Sequence, residues 1–358
     1  MKRLFALFPF VLMIVTLPAR ALEAIPPDWM DPPRTFRIDV LQVTDIEPYQ
    51  QALDGFLSTL GQNGIEQGKN LLLNRVKIDF DIEKGGFWDK VGVMLRVRQE
   101  AARIAESKPD LVLTIGTPAT RYARAILEDA RIPVVFTAVA NPLDVNAASL
   151  RDAGPGVTGS TLYMDMDESL RIVQQVFPRL RRIGMVHTDD ENGVAHVAAA
   201  KAKGSDLMIN VAARQVHKRD SIVPALKELY DHGQGVQMFA VPLDTYYGLR
   251  RYEPTIDLSD FGAENRIPVI SFALVRVPGA ILYAGADFRV VGGLAGTQAV
   301  KILKKRAKPD VLPILRQEKP TVLVDPERVQ ALKVALPAAL LERRTQGKDG
   351  LWQVSLDD

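Results

Sequence analysis

The chain has 358 residues, 47% hydrophobic and 25% charged, with 45 Lys+Arg against 43 Asp+Glu and no cysteine. That is enough chain for two domains with sizeable cores, and the composition is that of an ordinary soluble globular protein. The even charge gives nucleic-acid binding no electrostatic support, and the missing cysteine excludes disulfides, a lipid-modified cysteine and a thiol nucleophile.

Lys2 and Arg3 precede a mostly apolar run over residues 4–17, and then comes "PARAL", with Ala19 and Ala21 at the small-residue positions of a cleavage site. This reads as a secretory signal peptide over residues 1–21, too short and wrongly flanked for a membrane anchor. Its loss takes Lys2, Arg3 and Arg20, leaving 42 basic residues against 43 acidic ones. The expected product is soluble and periplasmic. Residues 22–34, "LEAIPPDWMDPPR", read as an extended proline-rich leader.

After the leader, strand and helix patterns alternate. Residues 37–43 form a strand candidate, and Leu53, Phe56, Leu57 and Leu60 share one helical face over 50–60. Residues 76–82 alternate as a strand, and 89–107 read as a helix with Val91, Met94, Leu95 and Ile104 inward. A strand over 110–115, a helix over 118–129 and a strand over 132–139 complete a first α/β unit with a parallel sheet. Residues 141–156 break the rhythm and read as a crossing segment. A second unit follows, with strands over 157–162, 182–187, 207–211, 236–241 and 268–272. Asp165 and Glu168 suggest a capping box before a helix that runs through Phe177. A strand over 281–284 and a helix over 290–305 come next, with Gly292, Gly293 and Gly296 on a close-packing face. The tail after Gln346 reads as polar and loose. The fold class is therefore α/β, with two Rossmann-like lobes of parallel sheet flanked by helices.

Phosphate chemistry finds no support. There is no Walker pattern, and "GPGVTG" over 154–159 precedes a strand where a dinucleotide site needs a helix. No G-x-S-x-G elbow exists. "HTDDENGVAH" over 187–196 collects two histidines and several carboxylates, but its spacing fits no common zinc helix, and it reads better as a solvated loop at a strand end. No metal and no cofactor are expected.

The candidate residues lie past strand ends, where open α/β sheets bind ligands. In "TIGTPAT", Thr117 suits a helix N-cap and Pro118 the first helical position. A plain cap and an anion site on the same N–H groups, including that of Ala119, fit this stretch equally well. In the second unit, "FAVPLDTYYG" sets Asp244 and Thr245 at an equivalent strand end. Asn141, in "VFTAVANPLD", stands at its counterpart in the first unit.

The stretches "DLVLTIGTPAT", "IPVVFTAVANPLD", "GVTGSTLYMDMDESLRIVQQVFPRLRRIGMV", "FAVPLDTYY" and "VDPERVQALKVALPAALLERR" together resemble the substrate-binding proteins of ABC transporters with the type I periplasmic binding protein fold. The subgroup they look like is linked to uptake of aromatic or related amino acids. The resemblance covers Phe36 to about Arg343. It implies two lobes with three hinge crossings: lobe one over 36–142 plus 287–318, lobe two over 156–286 plus 320–345. It implies a ligand-binding set of Gln42, Thr117, Pro118, Ala119, Asn141, Asp244, Thr245 and Asp287. Asn141 stands where the family usually has Asp, which favours neutral hydrogen-bonding groups over an ammonium.

The implied protein does no chemistry. It is a monomer that carries a small organic solute, amino-acid-like or carboxylate-bearing, to an ABC importer permease with its ATPase, without nucleic-acid partners. A sensor of the same fold coupled to a membrane receptor is the alternative. An enzyme on a Rossmann-like scaffold lacks any nucleophile, metal or dinucleotide pattern.

Overall fold

The structure, a computed structural model, describes residues 34–43, 45–78, 87–231, 235–273, 277 and 279–355. The segments expected as a signal peptide over 1–21 and, but for Arg34, as a proline-rich leader lie outside the described residues.

The first unit runs β1 (Phe36–Gln42), α1 (Glu47–Gln62), β2 (Leu71–Lys77), α2 (Phe87–Ser107), β3 (Leu111–Ile115), α3 (Thr117–Asp129), β4 (Val134–Val139) and β5 (Val157–Thr161). β3 and β4 are buried along their whole length, as continuous apolar runs in a parallel sheet with two covered faces must be. The second unit runs α4 (Met166–Val176), β6 (Arg182–His187), α5 (Glu191–Asp206), β7 (Asn210–Gln215), α6 (Val223–Asp231), β8 (Met238–Val241), α7 (Glu253–Glu264), β9 (Val269–Ser271) and β10 (Ala280–Gly285). Then α8 (Phe288–Lys305) and β11 (Leu315–Arg316) return to the first unit. The second is completed by β12 (Thr321–Val324), α9 (Pro326–Ala331), α10 (Ala338–Glu342), β13 (Arg344–Gln346) and β14 (Trp352–Val354).

The first sheet is ordered β11-β5-β4-β3-β1-β2 and is parallel throughout. The second is ordered β13-β14-β12-β10-β9-β8-β6-β7, parallel from β7 to β10 and antiparallel beyond. Each unit repeats one winding, in which the first strand lies between the second and the third. That puts a topological switch point between β1 and β3, and another between β6 and β8, where side chains past the strand ends face open space.

Among the described residues three segments cross between the sheets: 162–165 after β5, 286–287 after β10, and 317–320 after β11. The expected assignment of β5 to lobe two is thereby corrected. β5 lies in the first sheet, paired with β4 and β11. The crossing expected over 141–156 is instead a return within lobe one. The Arg124 guanidinium of α3 explains this: it donates to the Val145 and Asn146 carbonyls and holds the segment on its own lobe.

Cores cover both faces of each sheet. α8 lies directly on α1, and a Cβ on Gly292 would stand 1.9 Å from the Ala52 carbonyl oxygen, so glycine is what allows the two backbones to meet. On α2 the buried face is Val97, Ala101 and Ile104, while Leu95 is 59% exposed. The capping box at α4 does not form; Asp165 stands at the N-cap without a side-chain hydrogen bond. The polar tail is not loose, because β14 pairs antiparallel with β12.

Candidate functional site

β3 is followed directly by Gly116, whose φ of 89° suits glycine. Gly116 is the N-cap of α3, so Thr117, expected as the cap, is the first helical residue and Pro118 the second. The first turn of a helix leaves N–H groups without intrahelical partners, here those of Thr117 and Ala119, since Pro118 has none. The Thr117 hydroxyl, 1% exposed, donates to Asn192 Oδ1 of α5 at 3.1 Å across the two lobes. Beside it, Arg121 Nη1 lies 2.7 and 2.6 Å from the two carboxylate oxygens of Glu191.

Tyr49 of α1 is 6% exposed, and its hydroxyl covers Gly116 so closely that a Cβ there would meet it at 2.3 Å. Burial, with the charge of Asp190, holds the Tyr49 phenol well above its ordinary pKa, so it stays protonated and able to donate.

In lobe two, Asp190 caps α5 through the N–H groups of Asn192 and Gly193, and its other oxygen accepts from the Thr245 hydroxyl at 2.7 Å. Asp244 is 8% exposed and accepts from the Thr188 N–H at 2.7 Å, the Thr188 hydroxyl at 3.1 Å and the Tyr246 N–H at 2.9 Å. It therefore ties the end of β6 to the end of β8. Burial first, and the charge of Asp190 second, push its pKa up to about 7, against the pull of the bonds from Thr188 and Tyr246.

Two adjoining cavities lie where the lobes meet, and both have Leu162, Asn192, Leu243 and Ala273 in their walls. The smaller, about 50 Å³, lies between Tyr49, Ala138 and Phe288 on one side and Asp244, Thr245 and Tyr247 on the other. Ala138 enters that wall from a β-bulge in β4, at φ 56°, a conformation a non-glycine residue holds only under constraint. The larger, about 200 Å³, is bounded by Asn141, by crossing residues 162–165, by Ala286 and by Asn192, His196 and Phe272. Asn141 Oδ1 accepts from the Leu143 N–H and caps the short turn Pro142–Val145, which leaves its amide N–H groups available to the cavity.

Of the expected set, Asp244 and Thr245 come together in the smaller cavity and Asn141 stands in the larger. Thr117 meets the opposite lobe, while Pro118 and Ala119 follow it in the first turn of α3. Gln42 is buried at the end of β1, where Arg75 donates to it at 2.8 Å. Asp287 caps α8 by accepting from the N–H groups of Arg289 and Val290. Gln42 and Asp287 thus satisfy local partners and line neither cavity, although Ala286 and Phe288 beside Asp287 do.

Sequence reasoning missed Tyr49 and His196. The segment read as a solvated loop over 187–196 contains the N-terminus of α5, because Asp190 caps a helix there. No group of three or more His, Asp or Glu side chains is placed to hold a metal among the described residues. No described helix is long and apolar enough to cross a membrane.

The family model described as "ABC transporter substrate binding protein" matches residues 37–348. The chain belongs to the ABC transporter substrate-binding protein family. The partner of such a protein is an ABC importer, served from outside the cytoplasm, and the family is generally non-enzymatic. This family member is 24% identical over 298 residues to the tyrosine-binding protein of Clostridioides difficile, across 82% of this chain and 80% of that one. Its fold matches the ABC domain in complex with L-Trp from Streptococcus pneumoniae with a TM-score of 0.70 at 19% identity, covering 86% of this chain and 98% of that one. It also matches the ligand-free, open structure of a substrate-binding protein with adhesive properties from Clostridium difficile. That TM-score is 0.66 at 22% identity, over 85% and 97% of the two chains. These likenesses agree with the two-lobe type I periplasmic binding protein architecture.

Proposed function

We propose that this substrate-binding protein captures a small carboxylate-bearing, amino-acid-like solute between its lobes in the periplasm and presents it to the permease of an ABC importer. The observation that carries this reading is the pair of adjoining cavities walled by both lobes and by two crossing segments. Opening the lobes takes those walls apart and closing rebuilds them, so a solute bound there favours the closed state that a permease can recognise. Tyrosine, tryptophan and similar solutes named for the relatives fit the size class. Two polar groups in the cavity walls offer donors for a carboxylate, the Tyr49 hydroxyl in the smaller and the Asn141 amide in the larger. The test is a thermal-shift screen of α-amino acids and their deaminated and N-acylated counterparts. A binder raises the melting temperature with the logarithm of its concentration over its dissociation constant. Stabilisation by carboxylate-bearing solutes is expected, and a flat response across the whole panel sinks the reading.

A further inference from the structure

His196 stands on α5 and lines the larger cavity. Its Nδ1 lies 2.9 Å from the backbone nitrogen of Leu243. A backbone N–H can only donate, so Nδ1 must be the acceptor, and the proton of a neutral imidazole must sit on Nε2. The ring is further held edge-on against Phe272, with centroids 5.9 Å apart and planes at 83°. Nε2 has no protein partner among the described residues. His196 is thus a hydrogen-bond donor with fixed tautomer and orientation on the wall of a chamber that is mostly apolar, through Met164, Leu243 and Phe272, with Asn141, Asp165, Asn192 and Lys203 also in its walls.

We infer that the larger cavity is a side-chain subsite in which the Nε2–H of His196 reads a hydrogen-bond acceptor at the far end of an apolar, ring-sized substituent. The ligand class that follows is a carboxylate-bearing solute whose side chain ends in a ring nitrogen, carbonyl, ether or phenolic oxygen. This rests on the proposed solute-binding role and deepens it. Burial lowers the imidazole pKa to about 4, which keeps the ring neutral at neutral pH, so the group offers a dipole and not a cation. An apolar chamber cannot strongly reject an added polar group, but a donor left unpaired on ligand closure does discriminate against a side chain without an acceptor.

The experiment compares phenylalanine with 3-(4-pyridyl)alanine, which differ by one ring CH replaced with an acceptor nitrogen, by calorimetry at pH 8. The pyridyl compound is expected to bind about three- to tenfold more tightly. The variant His196→Asn keeps an acceptor for the Leu243 N–H and removes the distal donor. It should lose the preference, so that the ratio of the two affinities falls to about one whatever happens to the absolute affinities. His196→Gln, with an amide reaching further, should recover part of it. A thermal melt of each ligand-free variant checks the fold, and the ratio of the two affinities is insensitive to a general loosening. Equal affinities in the parent protein, or a preference that survives His196→Asn, overturn this inference while leaving the solute-binding role intact. No binding of either compound, together with a flat amino-acid panel, overturns both.

Discussion

Arg121 of α3 and Glu191 of α5 form an ion pair between the lobes, with one guanidinium nitrogen within 2.7 Å of both carboxylate oxygens. The pair sits at the rim, its side chains 32% and 43% exposed, next to the Thr117–Asn192 hydrogen bond. Exposed pairs are worth only about 0.2–1 kcal/mol and are screened by salt. Arg121→Gln is therefore expected to favour the open state slightly and to weaken solute binding less than about fivefold. The loss should shrink at high salt, and Arg121→Glu combined with Glu191→Arg should restore binding. A salt-independent loss above tenfold in calorimetry contradicts a simple rim latch.

Asp244 is expected to act on stability more than its position past a strand end suggests. Asp244→Ala strips the acceptor from the Thr188 and Tyr246 N–H groups, and each unpaired buried donor costs about 1–3 kcal/mol. The ligand-free variant should melt well below the parent. A melting temperature within a degree or two of the parent would show that this carboxylate is not the tie between β6 and β8.

The same residue sets a pH dependence. Its folded pKa, raised to about 7 from an ordinary value of 3.8, means that the folded protein holds a proton there which the unfolded chain releases. The contribution to stability is full below about pH 4 and is lost as pH rises through about 7, with a slope of at most about 1.4 kcal/mol per pH unit. Asp244→Asn removes the titrating group. The difference in unfolding free energy between parent and variant should shift against the parent from pH 5 to pH 8, measured by urea titration. A difference independent of pH rejects the raised value.

Much of this fold was legible because parallel strands buried on both faces must be apolar runs, and β3, β4 and β8 are such runs. The glycine face of α8 was equally readable. What failed was long-range. Nothing local in 157–161 says that β5 pairs with β4, or that Arg124 pins the preceding segment to its own lobe. The tail looked loose because β14 is only three residues long and gains its order from pairing with β12. At the site, Asn141 and Asp244 stood out by their place after strand ends. Gln42 and Asp287 share that kind of place, yet their side chains satisfy neighbours. Tyr49 and His196 come from helices distant in sequence from what they meet, since packing within lobe one puts Tyr49 over Gly116 and packing within lobe two puts His196 against Leu243.

Gly292→Ala is expected to destabilise by roughly 1–3 kcal/mol, since the new methyl meets a backbone carbonyl that cannot yield without parting α1 from α8. Gly61→Ala, near the end of α1 with nothing within 4 Å of its Cβ position, should be neutral or stabilising by up to about 1 kcal/mol. Denaturant unfolding of both variants separates the two cases. Equal effects would mean that helix propensity, not close approach, accounts for the glycine.

The final prediction concerns Asn141. Its Oδ1 is held by the Leu143 N–H, so the group left for the cavity is the amide NH₂, a donor. The NH₂ suits a ligand acceptor, and a neutral amide oxygen that already holds one N–H attracts an ammonium far less than a carboxylate does. Asn141→Asp preserves the cap, because a carboxylate accepts the same bond, but turns the free edge of the side chain into a charged acceptor. The variant should shift the preference between phenylalanine and 3-phenylpropionate toward the amine-bearing compound by about tenfold, the scale of one charge-assisted hydrogen bond. Because the cap survives, the ligand-free melting temperature should change little, so the shift cannot be assigned to a damaged turn. Calorimetry of both compounds against both proteins gives the ratio directly. If the parent already prefers the free amino acid and Asn141→Asp leaves the ratio unchanged, the ammonium is recognised elsewhere, and Asn141 has no part in choosing between the two.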